Sequence, residues 1–355
     1  MDMIKRSTKH ENITVSRQRC LALHSCSCGS SKSSGSADTA ASESGTTLKN
    51  TMTETEKERT AFRDITLFDS EEAAKYGDNL DKWTFLPYDI ERLRDNIREL
   101  KIYDEELDTD FLVHITLPPS YDENNTYPVF FLSDAVWWLG EVPAMWDKIQ
   151  SGEAEPLIFV TLGYEYDTDA TSDDTRVDKF MINQDKLLDF ITDDLMPYIS
   201  EQYHIDCADS TFFGHSCGGI FSHYALMMSD TYENQPFGRY IIGSPVFWAY
   251  YMIHDQDPSA VKDPDLHLSD FGYFDRNDTL DKKVFLYAGS LEDGDYEEVF
   301  NGHPSTTEGL DMLCDRLTER NADVTLKLYP TRHYQYLHNM FRDYILEQYP
   351  AEEQS

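Results

Sequence analysis

Basic residues are scarce in this 355-residue sequence. Acidic residues outnumber Lys and Arg by 66 to 30, which gives a formal net charge of −36 and a sequence pI near 4.4. A protein that binds nucleic acid neutralises phosphates with clustered Lys and Arg, so no nucleic-acid partner is expected. The charge favours a solvated acidic surface, with attraction of a cationic substrate as the alternative interpretation.

Cysteines and long apolar runs are also few. The six cysteines form two groups of three, and neither group has the spacing of a zinc site or of a disulfide framework. No apolar run reaches the length that crosses a bilayer, so no membrane-spanning segment is predicted.

The composition divides the chain into three predicted segments. Residues 1–58 form a tail with a Ser/Gly-rich stretch that cannot bury enough apolar surface, so disorder is expected there. The tail resembles a bacterial lipoprotein tether with Leu23-His24-Ser25-Cys26 as a poor lipobox, although an apolar signal core is lacking. Residues 59–96 are predicted to be an N-terminal extension and residues 97–350 the catalytic domain; cytoplasmic and secreted locations both stay open.

Strand-like and helical patterns alternate along the predicted domain. A hairpin is expected within 97–119, and apolar runs of strand length follow at 129–132, 157–162, 211–213, 240–242, 284–288 and 324–329. Helical stripes lie at 186–203, 219–228, 307–320 and 334–348. Runs that are apolar on both faces are typical of a parallel sheet covered by helices. The pattern therefore predicts an α/β fold with a doubly wound, mostly parallel sheet and helices on both faces.

The stretch Thr211–Gly219, TFFGHSCGG, has the pattern of a nucleophile elbow. In this turn from strand to helix, the central Ser216 is held in a strained backbone conformation with its hydroxyl exposed above the sheet. Small residues must flank the serine, so Gly214 and Gly218 are expected where a Cβ would collide with a neighbouring element. Ser216 is the predicted nucleophile.

A nucleophilic serine needs a base, and the base needs an orienting acid. The elbow predicts both later in the chain, acid first and histidine second. His333 follows the run TLKLYP and is the predicted general base and acid; His303 and His338 are the alternatives, but neither directly follows a predicted strand. Glu292 follows KVFLYAG and is the predicted orienting acid. Asp293 and Asp295 in the same loop compete for the acid role.

Donors for the oxyanion are predicted in two places. The N–H of Cys217 begins the helix after the elbow, and a second N–H is expected from Ala135 or Val136, after the run VFFLS. The thiol of Cys217 is interpreted as a packing group.

Several motifs together resemble the putative-esterase family of the α/β-hydrolases, which includes esterase D, enterochelin esterases and feruloyl esterases. The residues that carry the resemblance, spread over about 97–349, are FLVHITLPPSYDENNTYPVFFLSDAVWW, RVDKF, FFGHSCGGIFSHYAL, GSPVFW and YAGSLED. The resemblance implies Ser216, His333 and Glu292 as the triad and the loop from Asp134 to Val136 as an oxyanion contributor. The chain has Asp134-Ala135 where the family usually has Asp-Gly.

The expected activity is that of a serine carboxylic-ester hydrolase that forms an acyl-enzyme on a small-molecule ester, without a metal or organic cofactor. An acyltransferase, a serine peptidase and an inactive binding module on the same fold are the alternatives, and the sequence does not specify an oligomeric state. Candidate substrate-binding residues are Trp137, Trp138, Trp248 and Arg176. The aromatic residues could equally belong to the core, and Arg176 could instead form a structural ion pair.

Overall fold

The computed structural model describes residues 59–63, 65, 90–164 and 173–351. The predicted tail, with its lipobox-like residues, and most of the predicted extension lie outside the described residues. Within these ranges, no helix combines the length and the apolar character needed to cross a membrane.

The strands of the described residues form one nine-stranded sheet. They are β1 (Ala61–Arg63), β2 (Ile97–Asp104), β3 (Thr109–Thr116), β4 (Tyr127–Ser133), β5 (Ile158–Tyr164), β6 (Ile205–His215), β7 (Arg239–Gly243), β8 (Lys283–Gly289) and β9 (Asp323–Tyr329). The order is β1-β2-β3-β5-β4-β6-β7-β8-β9, with β4 to β9 parallel and β1 to β3 antiparallel to their neighbours.

Burial explains why the central strands lack a polar alternation. All seven residues of β5 and all five of β7 are buried, because helices cover both faces at the centre of a parallel sheet. Strand β9 at the sheet edge mixes exposed and half-buried residues instead.

Helices lie between the strands and follow the last one. They are α1 (Ala135–Trp138), α2 (Val142–Gln150), α3 (Asp173–Val177), α4 (Gln184–Asp189), α5 (Met196–Ser200), α6 (Cys217–Met227), α7 (Ala249–Gln256), α8 (Tyr273–Arg276), α9 (Thr306–Glu319) and α10 (Leu337–Gln348). Short 3₁₀ turns occur at Arg94–Asn96, Leu139–Glu141, Ser229–Thr231, Pro264–Leu268 and Asp293–Asp295, and π-helical turns at Asp178–Ile182 and Phe190–Leu195.

The predicted α/β fold is confirmed, with local corrections. The helix expected at 186–203 contains the π-helical turn Phe190–Leu195, and the last helix begins at Leu337 rather than at 334. The helix after the elbow begins at Cys217, two residues earlier than its apolar pattern indicates.

The strand order places a topological switch point at β4. The chain passes from β4 to β5 on one side and then crosses to β6 on the other side of β4. Ligands of open α/β sheets bind where the connections diverge in this way, at the carboxyl ends of the strands. The turns after β4 and β6 therefore lie at the expected position of a site.

Candidate active site

Ser216 occupies a strained turn between β6 and α6. Its backbone has φ 61° and ψ −119°, in a region that a residue with a Cβ rarely adopts. The Ser216 N–H donates to the Gly243 carbonyl at 2.9 Å, and its carbonyl accepts from Gly219 N–H at 3.0 Å. The turn is thus held by β7 on one side and by the first turn of α6 on the other. The geometry is that of a nucleophile elbow.

Close backbone contacts explain the glycines around Ser216. A Cβ on Gly214 would lie 1.8 Å from the Gly218 carbonyl oxygen, and a Cβ on Gly219 would lie 2.5 Å from the Gly243 carbonyl oxygen. A Cβ on Gly218 would meet the Ser133 hydroxyl at 3.0 Å. The expectation for Gly214 is thus confirmed. At Gly218 the close contact is with a side chain of the neighbouring strand β4, and a backbone collision that the sequence analysis did not predict occurs at Gly219, because α6 packs against the end of β7.

His333 and Glu292 meet in the interior at the carboxyl edge of the sheet. His333 Nδ1 lies 3.4 Å from Glu292 Oε1, and the two residues are 3% and 0% exposed. Strands β8 and β9 pair in parallel, so the loops that follow them emerge side by side. An ionised carboxylate only accepts hydrogen bonds, so Nδ1 carries the proton and the Nε2 lone pair of His333 is left to accept one.

His215, the residue before the serine, also contacts the His333 loop. His215 Nε2 lies 2.9 Å from the His333 carbonyl oxygen, and the two ring centroids are 4.6 Å apart. Burial, and then the nearby His333, lower the pKa of His215 well below its usual value, so this imidazole is neutral. A carbonyl only accepts, so the proton of His215 lies on Nε2. The elbow is thereby joined to the loop of the histidine.

Ser244 holds the second carboxylate oxygen of Glu292. Its Oγ donates to Glu292 Oε2 at 2.8 Å, and the Gly289 N–H donates to the same oxygen at 2.9 Å. The Tyr336 hydroxyl lies 2.9 Å from Ser244 Oγ, and all three of these side chains are buried. Sequence reasoning missed this network. The available signal was the position of Ser244 directly after β7, at the same sheet edge as the elbow.

The two competing carboxylates point elsewhere. Asp293 accepts hydrogen bonds from the Ser305 and Thr307 hydroxyls at the start of α9. Asp295 pairs with Arg332 near the surface. Among the described residues, Glu292 is thus the carboxylate of this loop that reaches His333.

The turn of Ser216 is joined to the loop of His333 through His215 and not through a hydrogen bond of the serine itself among the described residues. His333 contacts His215, directly before the serine, yet in the described part of the chain the hydrogen bonds do not include one from Ser216 Oγ to His333. Catalytic hydrogen bonds are often long without substrate and shorten when it binds.

The two backbone segments predicted to supply oxyanion donors begin the helices that follow β6 and β4. Cys217 is the first residue of α6, so its N–H lies outside the intrahelical ladder of hydrogen bonds. Ala135 is the first residue of α1, directly after β4, and Val136 follows it; β4 and β6 are adjacent strands. Ser133 Oγ donates to the Phe213 carbonyl at 3.0 Å, which joins the ends of these two strands.

The predicted substrate-binding tryptophans differ in their surroundings. Trp138 is 5% exposed and packs at 5.2 Å, between ring centroids, against His215. Trp248 is also buried, and its Nε1 donates to Thr306 Oγ1 at 3.2 Å. Trp137 belongs to α1, but its side chain is outside the described part of the structure. For the two described tryptophans the core interpretation fits the observed burial.

Arg176 forms a structural ion pair, which the sequence analysis gave as the alternative to substrate binding. Its Nε donates to Asp134 Oδ2 at 2.9 Å, and the two residues are 6% and 1% exposed. Burial raises the pKa of Asp134, and the Arg176 guanidinium opposes that rise. Burial opposes the charged form of Arg176, but the interactions with Asp134, Cys217 and Tyr334 together outweigh it and raise the pKa of Arg176.

Comparison with known proteins places this geometry in a family. Residues 105–295, more than half of the chain, match the Esterase family, described as "Putative esterase". The chain is 28% identical over 203 residues to the ferri-bacillibactin esterase BesA of Bacillus subtilis, a match that covers 51% of this chain and 65% of BesA.

Two solved structures share the fold. The BES protein from Bacillus cereus superposes with a TM-score of 0.51 at 22% identity, over 71% of this chain and 94% of that one. The siderophore hydrolase EstB from Aspergillus nidulans superposes with a TM-score of 0.54 at 16% identity, over 72% and 96%. With the strand order and the elbow, these matches identify the fold as that of an α/β-hydrolase, and the chain belongs to the esterase family.

Proposed function

We propose that this protein hydrolyses carboxylic esters through an acyl-enzyme on Ser216, with His333 as base and acid and Glu292 as the orienting carboxylate. The contact between His333 and Glu292 beside the strained turn of Ser216 carries the proposal. Membership of the esterase family supports the ester as the substrate.

The proposed reaction has two steps. Ser216 Oγ attacks the carbonyl carbon and its proton moves to His333 Nε2; the ester C–O bond breaks as that proton passes to the leaving alcohol. Water then attacks the acyl-enzyme, again giving its proton to His333, and the proton returns to Ser216 as the acid leaves. Glu292 stabilises the imidazolium formed in each step, and the N–H groups of Cys217 and of the Ala135–Val136 turn stabilise the oxyanion.

Two exposed apolar side chains support an ester with an apolar part. Leu291 and Tyr334 are 56% and 50% exposed, and they are the neighbours in sequence of Glu292 and His333. Exposed apolar surface beside a site favours contact with a ligand. BesA is named as a ferri-bacillibactin esterase and EstB as a siderophore hydrolase, so a siderophore ester belongs in the substrate panel with p-nitrophenyl acetate and butyrate.

A fluorophosphonate probe with mass spectrometry tests the nucleophile. We expect the probe to label Ser216 covalently in the wild-type protein. Ser216→Ala should not be labelled, and its kcat should be at least about 10³-fold lower. Ser259→Ala, which changes an exposed loop serine, should be labelled and turn over ester like the wild-type protein. A folded protein that is not labelled at Ser216 would refute the proposal. An ester hydrolase releases the free acid in water, whereas an acyltransferase passes the acyl group to an added alcohol and a serine peptidase cleaves a peptide. Product analysis therefore separates ester hydrolysis from these two activities.

A further inference from the structure

A small cavity lies between α6 and α9, and no member of the proposed triad lines it. Its volume is about 10 Å³, room for one atom of the size of a water molecule. The described residues that line it are His223, Phe247, Leu268, Gly309, Met312, Leu313 and Arg316. None of these side chains carries an oxygen atom. The lining therefore offers nitrogen groups and apolar surface.

Close packing fixes the inner walls of this cavity. The His223 ring is 1% exposed and packs edge to face against Phe247, with 5.2 Å between the ring centroids. Helix α9 approaches Phe247 closely, since a Cβ on Gly309 would lie 3.1 Å from Phe247 Cδ2. Met312, by contrast, is 45% exposed, and its unbranched thioether is flexible. A small solute can therefore enter past Met312 without disturbing the core.

Arg316 brings a positive charge to the cavity without a carboxylate to pair with it. Its Nη1 is buried and has no hydrogen-bond partner, and its guanidinium forms no ion pair in the described part of the chain. Burial lowers the pKa of Arg316, and Asp270 opposes this only through a longer-range interaction. A buried charged donor without an acceptor is costly. An acceptor for Arg316 Nη1 is therefore expected at the cavity.

We propose that the cavity binds a monatomic anion of the size of chloride, which accepts a hydrogen bond from Arg316 Nη1. A water molecule would need acceptors for its own two hydrogens, and the lining side chains offer at most one, the His223 imidazole. An anion needs only donors and positively polarised groups, such as the edge of the Phe247 ring. It also neutralises the guanidinium and joins α9 to α6. This site is separate from the proposed ester hydrolysis and does not depend on it.

Thermal unfolding of the full-length protein at matched ionic strength tests the proposal. Sodium chloride and sodium gluconate, each at about 0.1 M, screen the surface charge equally, but gluconate is too large for the cavity. We expect the wild-type midpoint to be about 2 to 4 °C higher in chloride, the shift produced by a ligand at about ten times its dissociation constant. Arg316→Met should unfold at the same temperature in both salts. Arg320→Met removes the same charge from an exposed position at the end of α9 and should keep the chloride effect.

Bromide locates the ion. Crystals of the wild-type protein in sodium bromide should show an anomalous bromine peak in contact with Arg316 Nη1, and crystals of Arg316→Met should not. An ordered water alone at this position overturns the inference, as do equal wild-type midpoints in the two salts or a chloride effect that persists in Arg316→Met. A bromine peak without the chloride effect in solution would mark an adventitious ion only and overturns it too. Should Arg316→Met not fold, the bromine peak and the salt comparison of the wild-type protein still decide.

Discussion

Ser244 Oγ donates a hydrogen bond of 2.8 Å to Glu292 Oε2, while the other oxygen of that carboxylate lies 3.4 Å from His333 Nδ1. Ser244 has φ 39°, so it holds this position at the expense of backbone strain. The Tyr336 hydroxyl contacts Ser244 Oγ. Burial and then the charge of Glu292 raise the pKa of Tyr336, so its hydroxyl keeps its proton and remains a hydrogen-bond donor. The acid is thus fixed from the side opposite to the histidine.

Replacing Ser244 separates this positioning from stability. Ser244→Gly removes the hydroxyl but favours the positive φ, so we expect kcat to fall about 10- to 100-fold while the thermal unfolding midpoint stays equal or rises. Ser244→Ala removes the same hydroxyl and keeps the strain, so it should lose similar activity and be less stable than Ser244→Gly. Ester turnover and thermal unfolding measure the two effects. Full kcat in Ser244→Gly would show that Glu292 needs no such support.

The acid assignment is tested by three matched carboxylate-to-amide changes. Glu292→Gln should lower kcat by about 10²- to 10⁴-fold, because the amide no longer orients His333 or stabilises its protonated form. Asp293→Asn should mainly lower stability, since Asp293 accepts from hydroxyls at the start of α9. Asp295→Asn should change little, because its ion pair with Arg332 is partly exposed. Retention of full rate in Glu292→Gln, with a loss in either aspartate variant, would contradict the assignment.

The features that the sequence predicts well are those with local patterns. Strands such as β5 and β7 are apolar throughout because they are buried on both faces, and that burial is visible as a continuous apolar run. Ser216 lies in a five-residue motif whose strained turn is local. The candidate base and acid follow from chain order and from the ends of two apolar runs.

The features that the sequence does not reveal depend on contacts between distant residues. Ser244 has no motif of its own; its role comes from the proximity of β7 to the loop after β8. The need for glycine at Gly219 arises from the end of β7, and the π-helical turn Phe190–Leu195 leaves no mark in an apolar stripe. Arg176 looks isolated in the sequence because its partner, Asp134, is 42 residues away.

The elbow glycine Gly219 should not tolerate a side chain. Gly219→Ala places a Cβ 2.5 Å from the Gly243 carbonyl oxygen, so α6 must shift and move Ser216 with it. We expect Gly219→Ala to have a lower thermal unfolding midpoint. The fraction of this variant that folds should be labelled by the fluorophosphonate at least about tenfold more slowly than the wild-type protein. Gly294→Ala is the matched control, because a Cβ there meets nothing within 4 Å. Equal behaviour of the two variants would contradict the packing argument.

The net charge of −36 should select among substrates by their charge. At low salt we expect kcat/KM for the cationic ester acetylthiocholine to fall several-fold as ionic strength rises from about 0.01 to 0.1 M, because the Debye length shortens from about 30 to about 10 Å. An anionic ester such as mono(4-nitrophenyl) succinate should show the reverse trend. Neutral p-nitrophenyl acetate is the control and should change little. Parallel salt dependence of all three esters would show that the acidic surface has no influence on association.

His215 should make folding stability depend on pH in a particular direction. Its pKa in the folded protein is well below 6.5 because of burial and then of His333, whereas the unfolded chain binds a proton near the usual value. As pH falls below about 6.5, the unfolded state therefore takes up a proton that the folded state does not. The free energy of unfolding should consequently decrease by up to about 1.4 kcal/mol per pH unit through this residue.

His215→Gln isolates that contribution. The amide can still donate to the His333 carbonyl but does not titrate, so the loop contact is kept while the proton uptake is removed. Denaturant unfolding at pH 7.5 and at pH 5.5 gives the free energy of unfolding at each pH. Its decrease from pH 7.5 to pH 5.5 should be about 1 kcal/mol larger for the wild-type protein than for His215→Gln, since every other titrating group is common to both proteins. Equal decreases would mean that His215 takes up its proton in the folded state, and the neutral imidazole inferred between the elbow and the His333 loop would then be wrong.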